Sequence, residues 1–312
     1  MAETITHTLP HGITLHCRVA GMPGRPVLLF LHGFPEGAFI WDALLGHFAD
    51  PAHGGYRCVA PWLRGYAPSS APAAIEAYRP KHLVQDIAAL IAQEAGAGTP
   101  LAALVAHDWG GAVAWNLANQ HPGLLKRLMV INAPHPGAFL RELQSSAAQQ
   151  EASAYIHFLC RPDAESLLAE NDFARLFGFF RRADGSAPGW LTPALRAHYR
   201  AQWAAGLAGP CNYYRASPLR PPLPSSSQDD GTPDIRSLTL PADMLQVPVP
   251  TQVLWGMDDP ALLPGLLQGL QAWVPRLQVQ QVPGATHWVV HEQPGLVRDT
   301  LADLLRQALL FS

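Results

Sequence analysis

The sequence has few charged residues and almost no lysine. Charged residues make up 14% of its 312 residues, Lys81 and Lys126 are the only lysines, and the net charge is −3. The chain has no cluster of basic residues, so it lacks the positive charge typical of a protein that binds nucleic acid or an anionic membrane. Hydrophobic residues make up 48% of the chain, which is enough for a large core and excludes disorder along its whole length.

Cysteine and long apolar runs are also scarce. No C-x-x-C pair occurs, so the chain predicts reduced and mostly buried thiols rather than a disulfide framework, at Cys17, Cys58, Cys160 and Cys211. No apolar run reaches about 18 residues, so no membrane-spanning helix is expected. Residues 1–11 are polar and lack the apolar segment of a secretory signal. We therefore expect a soluble, cytoplasmic protein.

Motifs for cofactors and metals are missing as well. There is no G-x-G-x-x-G, no P-loop and no H-E-x-x-H pattern. His287, His291 and Glu292 are close enough in sequence to raise the question of zinc, but no further ligand stands out. The sequence predicts neither a cofactor nor a metal site.

Buried strands and amphipathic helices alternate in two parts of the chain. Short apolar runs predict strands, helical spacing of apolar residues predicts helices, and this alternation is typical of a parallel sheet with right-handed crossovers. The predicted strands are residues 13–19, 26–32, 58–60, 101–106, 128–132, 251–256 and 277–282. The predicted helices are residues 82–95, 110–120, 262–273 and 294–310.

The segment between these two parts has a different pattern. Residues 136–244 show helical stretches rich in aromatic side chains and no buried-strand runs, and residues 221–234 read as a long loop of Pro, Ser, Asp and Gly. We predict an α/β domain formed by residues 1–134 and 246–312. Residues 135–245 then form a helical lid inserted between two strands.

The turn between the strand at 101–106 and the following helix contains one acidic side chain, Asp108. Its neighbours Ala106, Gly110 and Gly111 are small, as a sharp strand-to-helix turn requires. This is the pattern of a nucleophile elbow, G-x-S-x-G, with aspartate in place of serine. The alternative is that Asp108 only caps the helix.

Three further segments fit a catalytic site around Asp108. The loop at 32–36 follows a buried strand, where the backbone N–H of Phe34 would complete an oxyanion hole with that of Trp109. Asp259 follows one later strand and His287 follows the next, which is the order nucleophile, acid, histidine. Because parallel strands end at the same edge of a sheet, these residues should converge. Asp258 is the adjacent alternative for the acid.

The sequence resembles the epoxide hydrolase branch of the α/β-hydrolase superfamily over nearly its whole length. The matching motifs are H-G-F-P at 32–35, H-D-W-G at 107–110, W-G-M-D-D at 255–259 and G-A-T-H-W at 284–288. The resemblance implies that Asp108 attacks an epoxide carbon and forms an alkyl-enzyme ester. Water activated by His287, which Asp259 orients, would then hydrolyse that ester.

The resemblance also implies two lid tyrosines that donate a proton to the epoxide oxygen. An N-aromatic-Y-R segment at 212–215 matches Tyr214, and a Y-x(6)-P segment at 155–162 matches Tyr155. His157 and Tyr199 are competing candidates for the second tyrosine's place. We expect a small apolar substrate to contact Phe34, Trp109, Tyr213 and Trp288.

Other reactions remain as alternatives. Haloalkane dehalogenases often carry Asn where this chain has Phe34, and haloacid enzymes of the H-D-R-G-G-R type carry arginines where it has Trp109 and Ala112. A catalytically silent binding protein on this fold would usually lack a member of the triad, and all three are here. The expected partners are an epoxide and water, in a monomer or a homodimer.

Overall fold

A mixed eight-stranded sheet organises the chain in a computed structural model that describes residues 2–223 and 234–307. The strands are β1 (Glu3–Thr8), β2 (Thr14–Ala20), β3 (Val27–Leu31), β4 (Arg57–Pro61), β5 (Ala103–His107), β6 (Leu128–Ile131), β7 (Thr251–Gly256) and β8 (Leu277–Val282). Their order is β1-β2-β4-β3-β5-β6-β7-β8. Only β2 runs antiparallel to its neighbours β1 and β4, so the predicted, mostly parallel sheet is confirmed.

The helices cover both faces of this sheet and fill the segment between β6 and β7. They are α1 (Asp42–Ala49), α2 (Pro80–Ala95), α3 (Asp108–Gln120), α4 (Pro136–Ser145), α5 (Ala147–Ala152), α6 (Tyr155–Leu159), α7 (Ala164–Gly178), α8 (Pro193–Ala204), α9 (Ala208–Ala216), α10 (Val289–Glu292) and α11 (Pro294–Arg306). Within the described ranges, no helix is long and apolar enough to cross a bilayer.

Continuous apolar strands are needed because helices pack on both faces. In β3, Leu29 and Leu31 pack in one core with residues of α2 and α3, whereas Leu28 and Phe30 pack in a second core with residues of α1 and α11. Successive side chains of a strand point to opposite faces, so a strand covered on both sides is mainly apolar along its length. This explains why β3 and β5 are buried at every residue.

Several elements differ from the sequence expectation, and helices α1 and α10 were not predicted. The predicted helix at 262–273 is wrong, because this stretch forms two short 3-10 helices, Pro264–Leu267 and Leu270–Ala272, separated by Gly269 at φ 70°. The carbonyls of Gly265 and Gln268 accept hydrogen bonds from the Arg141 guanidinium of α4, which supports this broken path. Strand β1 was not predicted, since it is a polar edge strand with mostly exposed residues.

Two predicted segments extend outside the described residues. Residues 224–233 of the predicted loop at 221–234 lie outside the described ranges. So do residues 308–310 of the predicted helix at 294–310, and α11 itself ends at Arg306.

The segment between β6 and β7, which contains α4 to α9, is fastened to the loop that follows β3. Three side chains of α8 donate hydrogen bonds to this loop: Tyr199 to the Glu36 carboxylate, Gln202 to the Glu36 carbonyl, and Trp203 to the Pro35 carbonyl, at 2.6–2.7 Å. The same helix packs Tyr199 and Trp203 in a third apolar core made mainly of residues from this segment. The segment is therefore held against the carboxyl edge of the sheet, where β3 and β5 end.

Candidate active site

Asp108 sits on the sharp turn that the sequence predicted between β5 and α3. Its φ is 50°, in the left-handed region that costs energy for a residue with a side chain. A Cβ on Gly110 would lie 2.6 Å from the carbonyl oxygens of Leu31 and His32, and one on Gly111 would lie 2.2 Å from the Cβ of Ala133. Only glycine allows α3 to approach the neighbouring strands this closely, which explains the small residues around Asp108.

The carboxylate of Asp108 lies against the loop after β3. The backbone N–H of Phe34 donates to Oδ1 of Asp108 at 2.6 Å. Trp109 follows in the first turn of α3, where backbone N–H groups have no partner within the helix. This arrangement gives one oxygen of Asp108 a defined donor and leaves Oδ2 on the side of His287.

His287 lies between two carboxylates. Its Nδ1 is 2.7 Å from Oδ2 of Asp259, and its Nε2 is 3.7 Å from Oδ2 of Asp108. Asp258 is exposed and is not brought to the histidine. The three residues named by their order in the chain therefore meet at one edge of the sheet, at the ends of β5, β7 and β8.

The electrostatics of this trio favour a charged histidine. Burial alone would lower the pKa of His287, but attraction to Asp259, the hydrogen bond to it, and attraction to Asp108 together raise the pKa to about 9. Burial would raise the pKa of Asp259, and the charge of His287 outweighs this effect and lowers it. Asp259 thus stays ionised and accepts the proton on Nδ1, which leaves Nε2 facing Asp108.

A cavity extends from Asp108 in two directions. Asp108, Tyr155 and Tyr214 line both parts, so these three residues mark the junction. One part, about 80 Å³, lies beside Trp109 and Ala112; the other, about 200 Å³, lies beside Phe34, Ala152, His287 and Trp288. The narrow arm and the wide arm denote these two parts below. Of the side chains expected to contact the substrate, the cavity walls contain Phe34, Trp109 and Trp288.

The two tyrosines face Asp108 as protonated hydroxyls. Burial raises the pKa of Tyr155, and the negative charges of Asp108 and Asp259 raise it further. The pKa of Tyr214 is raised well above its usual value by burial, by Tyr155 and by Asp108. Their rings lie 6.0 Å apart, edge to face. Both side chains are therefore hydrogen-bond donors at neutral pH.

Tyr213 was expected to contact the substrate, but it does not line either part of the cavity. Its hydroxyl donates to the backbone carbonyl of Arg64 at 2.8 Å, and its ring packs against Tyr66 and Tyr78 in the main core. Successive residues of a helix point about 100° apart. Since Tyr214 of α9 faces the cavity, Tyr213 points into the core beneath it.

The two competing lid residues are placed elsewhere. The hydroxyl of Tyr199 donates to Oε1 of Glu36 at 2.6 Å, and Nε2 of His157 lies 3.3 Å from the carbonyl oxygen of Pro222. Neither is among the residues that line the two arms. Of the three candidates, Tyr155 alone lines the cavity together with Asp108 and Tyr214.

Comparisons with known proteins agree with this geometry. The α/β-hydrolase fold family matches residues 26–294. The AB hydrolase superfamily protein YfhM of Bacillus subtilis is 32% identical over 95% of this chain and 96% of its own length. Epoxide hydrolase 3 of Xenopus tropicalis is 32% identical over 96% of this chain and 76% of its own. A solved epoxide hydrolase structure from metagenomes of hot environments has a TM-score of 0.83 and 34% identity, and the match covers 99% of this chain and 100% of that one. The chain belongs to the epoxide hydrolase branch of the α/β-hydrolase superfamily.

One residue of this hydrolase that sequence reasoning missed holds Asp259 in place beside His287. Asn132 follows β6 with φ 39°, its Nδ2 donates to Oδ2 of Asp259 at 2.8 Å, and its Oδ1 accepts from the N–H of Gly256 at 2.8 Å. The N–H groups of Ala261 and Leu262 donate to the other oxygen of Asp259. A polar residue directly after a buried strand was the available signal.

A buried carboxylate behind His287 was also missed. Glu36 lies 2.6 Å from Nε2 of His291 and 3.4 Å from Nδ1 of His107, and Nε2 of His107 donates to the carbonyl of His287. Burial would raise the pKa of Glu36, but the two histidines lower it well below its usual range. His287 and His291 therefore face different carboxylates. Within the described ranges, no group of three His, Cys, Asp or Glu side chains is arranged to hold a metal ion.

Proposed function

We propose that this hydrolase converts an epoxide to a vicinal diol through an alkyl-enzyme ester on Asp108. The observation that carries the proposal is the junction of the cavity, where one carboxylate and two tyrosine hydroxyls line the same space. A carboxylate suits attack at a saturated carbon, because attack on an ester carbonyl would give a high-energy anhydride. The relatives named epoxide hydrolases support this choice of substrate.

In the first step, Oδ2 of Asp108 forms a bond to one oxirane carbon while the bond from that carbon to the ring oxygen breaks. Oδ1 is held by the N–H of Phe34 and becomes the carbonyl oxygen of the ester. The departing alkoxide is a strong base, so it takes a proton from Tyr155 or Tyr214, each of which lines the junction. The product is a hydroxyalkyl ester of Asp108 and a tyrosinate, which is reprotonated before the next turnover.

In the second step, water attacks the carbonyl carbon of this ester and Nε2 of His287 takes its proton. Asp259 accepts the Nδ1–H of the same ring at 2.7 Å and stabilises the imidazolium. Negative charge on Oδ1 develops opposite the N–H of Phe34, which is already in place, together with that of Trp109. The C–O bond to the diol then breaks, the departing alkoxide takes the remaining proton of the attacking water, and the carboxylate of Asp108 re-forms with one oxygen from water beside a protonated His287.

Dehalogenation is the second candidate and uses the same nucleophile. A halide leaves as a stable anion and needs N–H donors but no acid. Two buried tyrosines with raised pKa values facing Asp108 favour a leaving group that must be protonated. The apolar ring of Phe34 also offers no hydrogen bond to a halide.

The test is hydrolysis of styrene oxide by the wild type, Asp108→Asn and Tyr214→Phe, with 1-bromobutane as a parallel substrate. We expect diol from the wild type, none from Asp108→Asn, and a rate lower by about 10²-fold or more in Tyr214→Phe, which is typical for loss of a general acid. Bromide release without diol formation would instead identify a dehalogenase.

A trapping experiment tests the covalent intermediate. In His287→Gln the ester should form but hydrolyse slowly, so intact-protein mass spectrometry should show an added mass equal to that of styrene oxide. Peptide mapping should place this adduct on Asp108. The two-step mechanism would be contradicted if the His287→Gln protein is folded and has lost turnover but never shows an adduct.

A further inference from the structure

The two arms of the cavity differ in volume and meet only at the reacting groups. The volumes are about 80 Å³ for the narrow arm and about 200 Å³ for the wide arm. Among the residues that the structure describes, Asp108, Tyr155 and Tyr214 alone line both. An oxirane placed between the nucleophile and its acids therefore has space on both sides.

The narrow arm is apolar apart from the shared groups. Its walls include Trp109, Pro134, Phe139, Leu219 and Leu262. Its hydroxyl-bearing wall residue, Ser217, already accepts the N–H of Leu219 at 3.1 Å. Asp108 alone is charged among the described wall residues of this arm, so the arm offers mainly dispersion contacts and no cationic partner for a carboxylate.

The wide arm must hold the hydrolytic water as well as a substituent of the epoxide. His287 lines this arm and not the narrow one, so the hydrolytic water must lie on this side of the junction. The rings of Phe34, Phe179 and Trp288 supply apolar walls beside that position. The larger volume is consistent with an arm that holds both a bulky group and a water molecule.

From this geometry we infer that the enzyme prefers 1,2-disubstituted epoxides with two unequal apolar substituents, a short alkyl group in the narrow arm and an aryl-sized group in the wide arm. The inference rests on the proposed function and adds to it the shape of the substrate. A terminal epoxide would fill one arm only, and the apolar walls of the other would lose their contacts. Burial of one further methyl group is worth about a fourfold gain in kcat/KM.

Ala112 and Ala152 offer a matched pair of positions for the test. Ala112 is one helical turn beyond Asp108 on α3 and lines only the narrow arm, whereas Ala152 ends α5 and lines only the wide arm. Neither has a group that takes part in the proposed chemistry. A leucine side chain at either position fills part of one arm and reduces its free volume. Leucine is also a good helix former.

The experiment compares kcat/KM for styrene oxide, trans-1-phenyl-1,2-epoxypropane and trans-stilbene oxide. We expect the wild type to prefer the methyl-substituted epoxide by about fourfold over styrene oxide, as burial of its methyl predicts, and to convert stilbene oxide poorly. Ala112→Leu should remove the preference for the methyl group, because it slows the methyl-substituted epoxide more than styrene oxide. Ala152→Leu should slow both phenyl substrates alike.

Leu219→Ala provides a variant of opposite effect, because it enlarges the narrow arm. It should raise activity on epoxides with a longer alkyl group, such as trans-1-phenyl-1,2-epoxyhexane, relative to the methyl compound. Thermal melting shows whether each variant is folded. Equal wild-type rates for styrene oxide and its methyl derivative, or a larger loss on styrene oxide in Ala112→Leu than in Ala152→Leu, would overturn the inference. Absence of diol from every substrate would refute the proposed function instead.

Discussion

The charge of Asp108 should control the proton affinity of His287, and this coupling is measurable. Oδ2 of Asp108 lies 3.7 Å from Nε2 of His287, and the two side chains are 14% and 10% exposed. At this distance, Coulomb's law gives about 1 kcal/mol in water and about 4.5 kcal/mol at an effective dielectric constant of 20. With about 1.36 kcal/mol per pKa unit, neutralising Asp108 should lower the pKa of His287 by about 1 to 3.

The perturbation is Asp108→Asn, with Asp108→Ala as a second form that cannot regain a carboxylate. The pKa of His287 is about 9 in the intact enzyme, and we expect about 6 to 8 in both variants. The assay is an NMR titration of the histidine ring nitrogens, with the signal of His287 assigned by its loss in His287→Gln. Asp258→Asn is the matched control, because that neighbouring carboxylate is exposed and does not face the histidine.

The same coupling has a consequence for the reaction. Esterification removes the charge of Asp108, so the pKa of His287 should fall when the intermediate forms, and the ring then loses its proton and becomes the base. Hydrolysis of the ester should therefore slow as pH falls through this lowered pKa, not through 9, since the protonated ring cannot accept a proton. A pKa of His287 that is unchanged or higher in both Asp108 variants would refute the reasoning.

Three further predictions concern the surroundings of the triad. Asp259→Asn should lower the rate of ester hydrolysis by about 10⁴-fold, as loss of the orienting carboxylate does in serine proteases. Rapid-quench kinetics measure this rate, and an unchanged rate would contradict the prediction. Asn132→Ala should lower the free energy of unfolding by about 1.5–3 kcal/mol in urea titrations, because it removes a hydrogen bond to the charged Asp259; an unchanged midpoint would show that Asn132 does not hold Asp259. Gly111→Ala should lower the free energy of unfolding by about 1–3 kcal/mol, because the new Cβ would lie 2.2 Å from another side chain, whereas Gly46→Ala in α1, where nothing lies within 4 Å, should raise it by about 0.5–1 kcal/mol. Equal effects of the two glycine changes would count against the close packing at the elbow.

The sequence by itself was sufficient for the features that depend on neighbours along the chain. The apolar runs of β3 and β5 predict buried strands, and the small residues around Asp108 predict a sharp turn. Asp259 and His287 follow later strands, and parallel strands end at one edge of a sheet. The meeting of the triad was therefore predictable without coordinates.

The tertiary structure decided what depends on contacts between distant segments. The rotation of α9 determines that Tyr214, and not Tyr213, faces Asp108, although both stand in the same motif. Glu36 meets His291 across 255 positions of the chain, and no local pattern specifies such a pair. Helical propensity near 262–273 was overridden by Gly269 and by hydrogen bonds from Arg141. The volumes of the two arms likewise come from side chains of many elements, because packing is a property of the assembled fold and not of any segment.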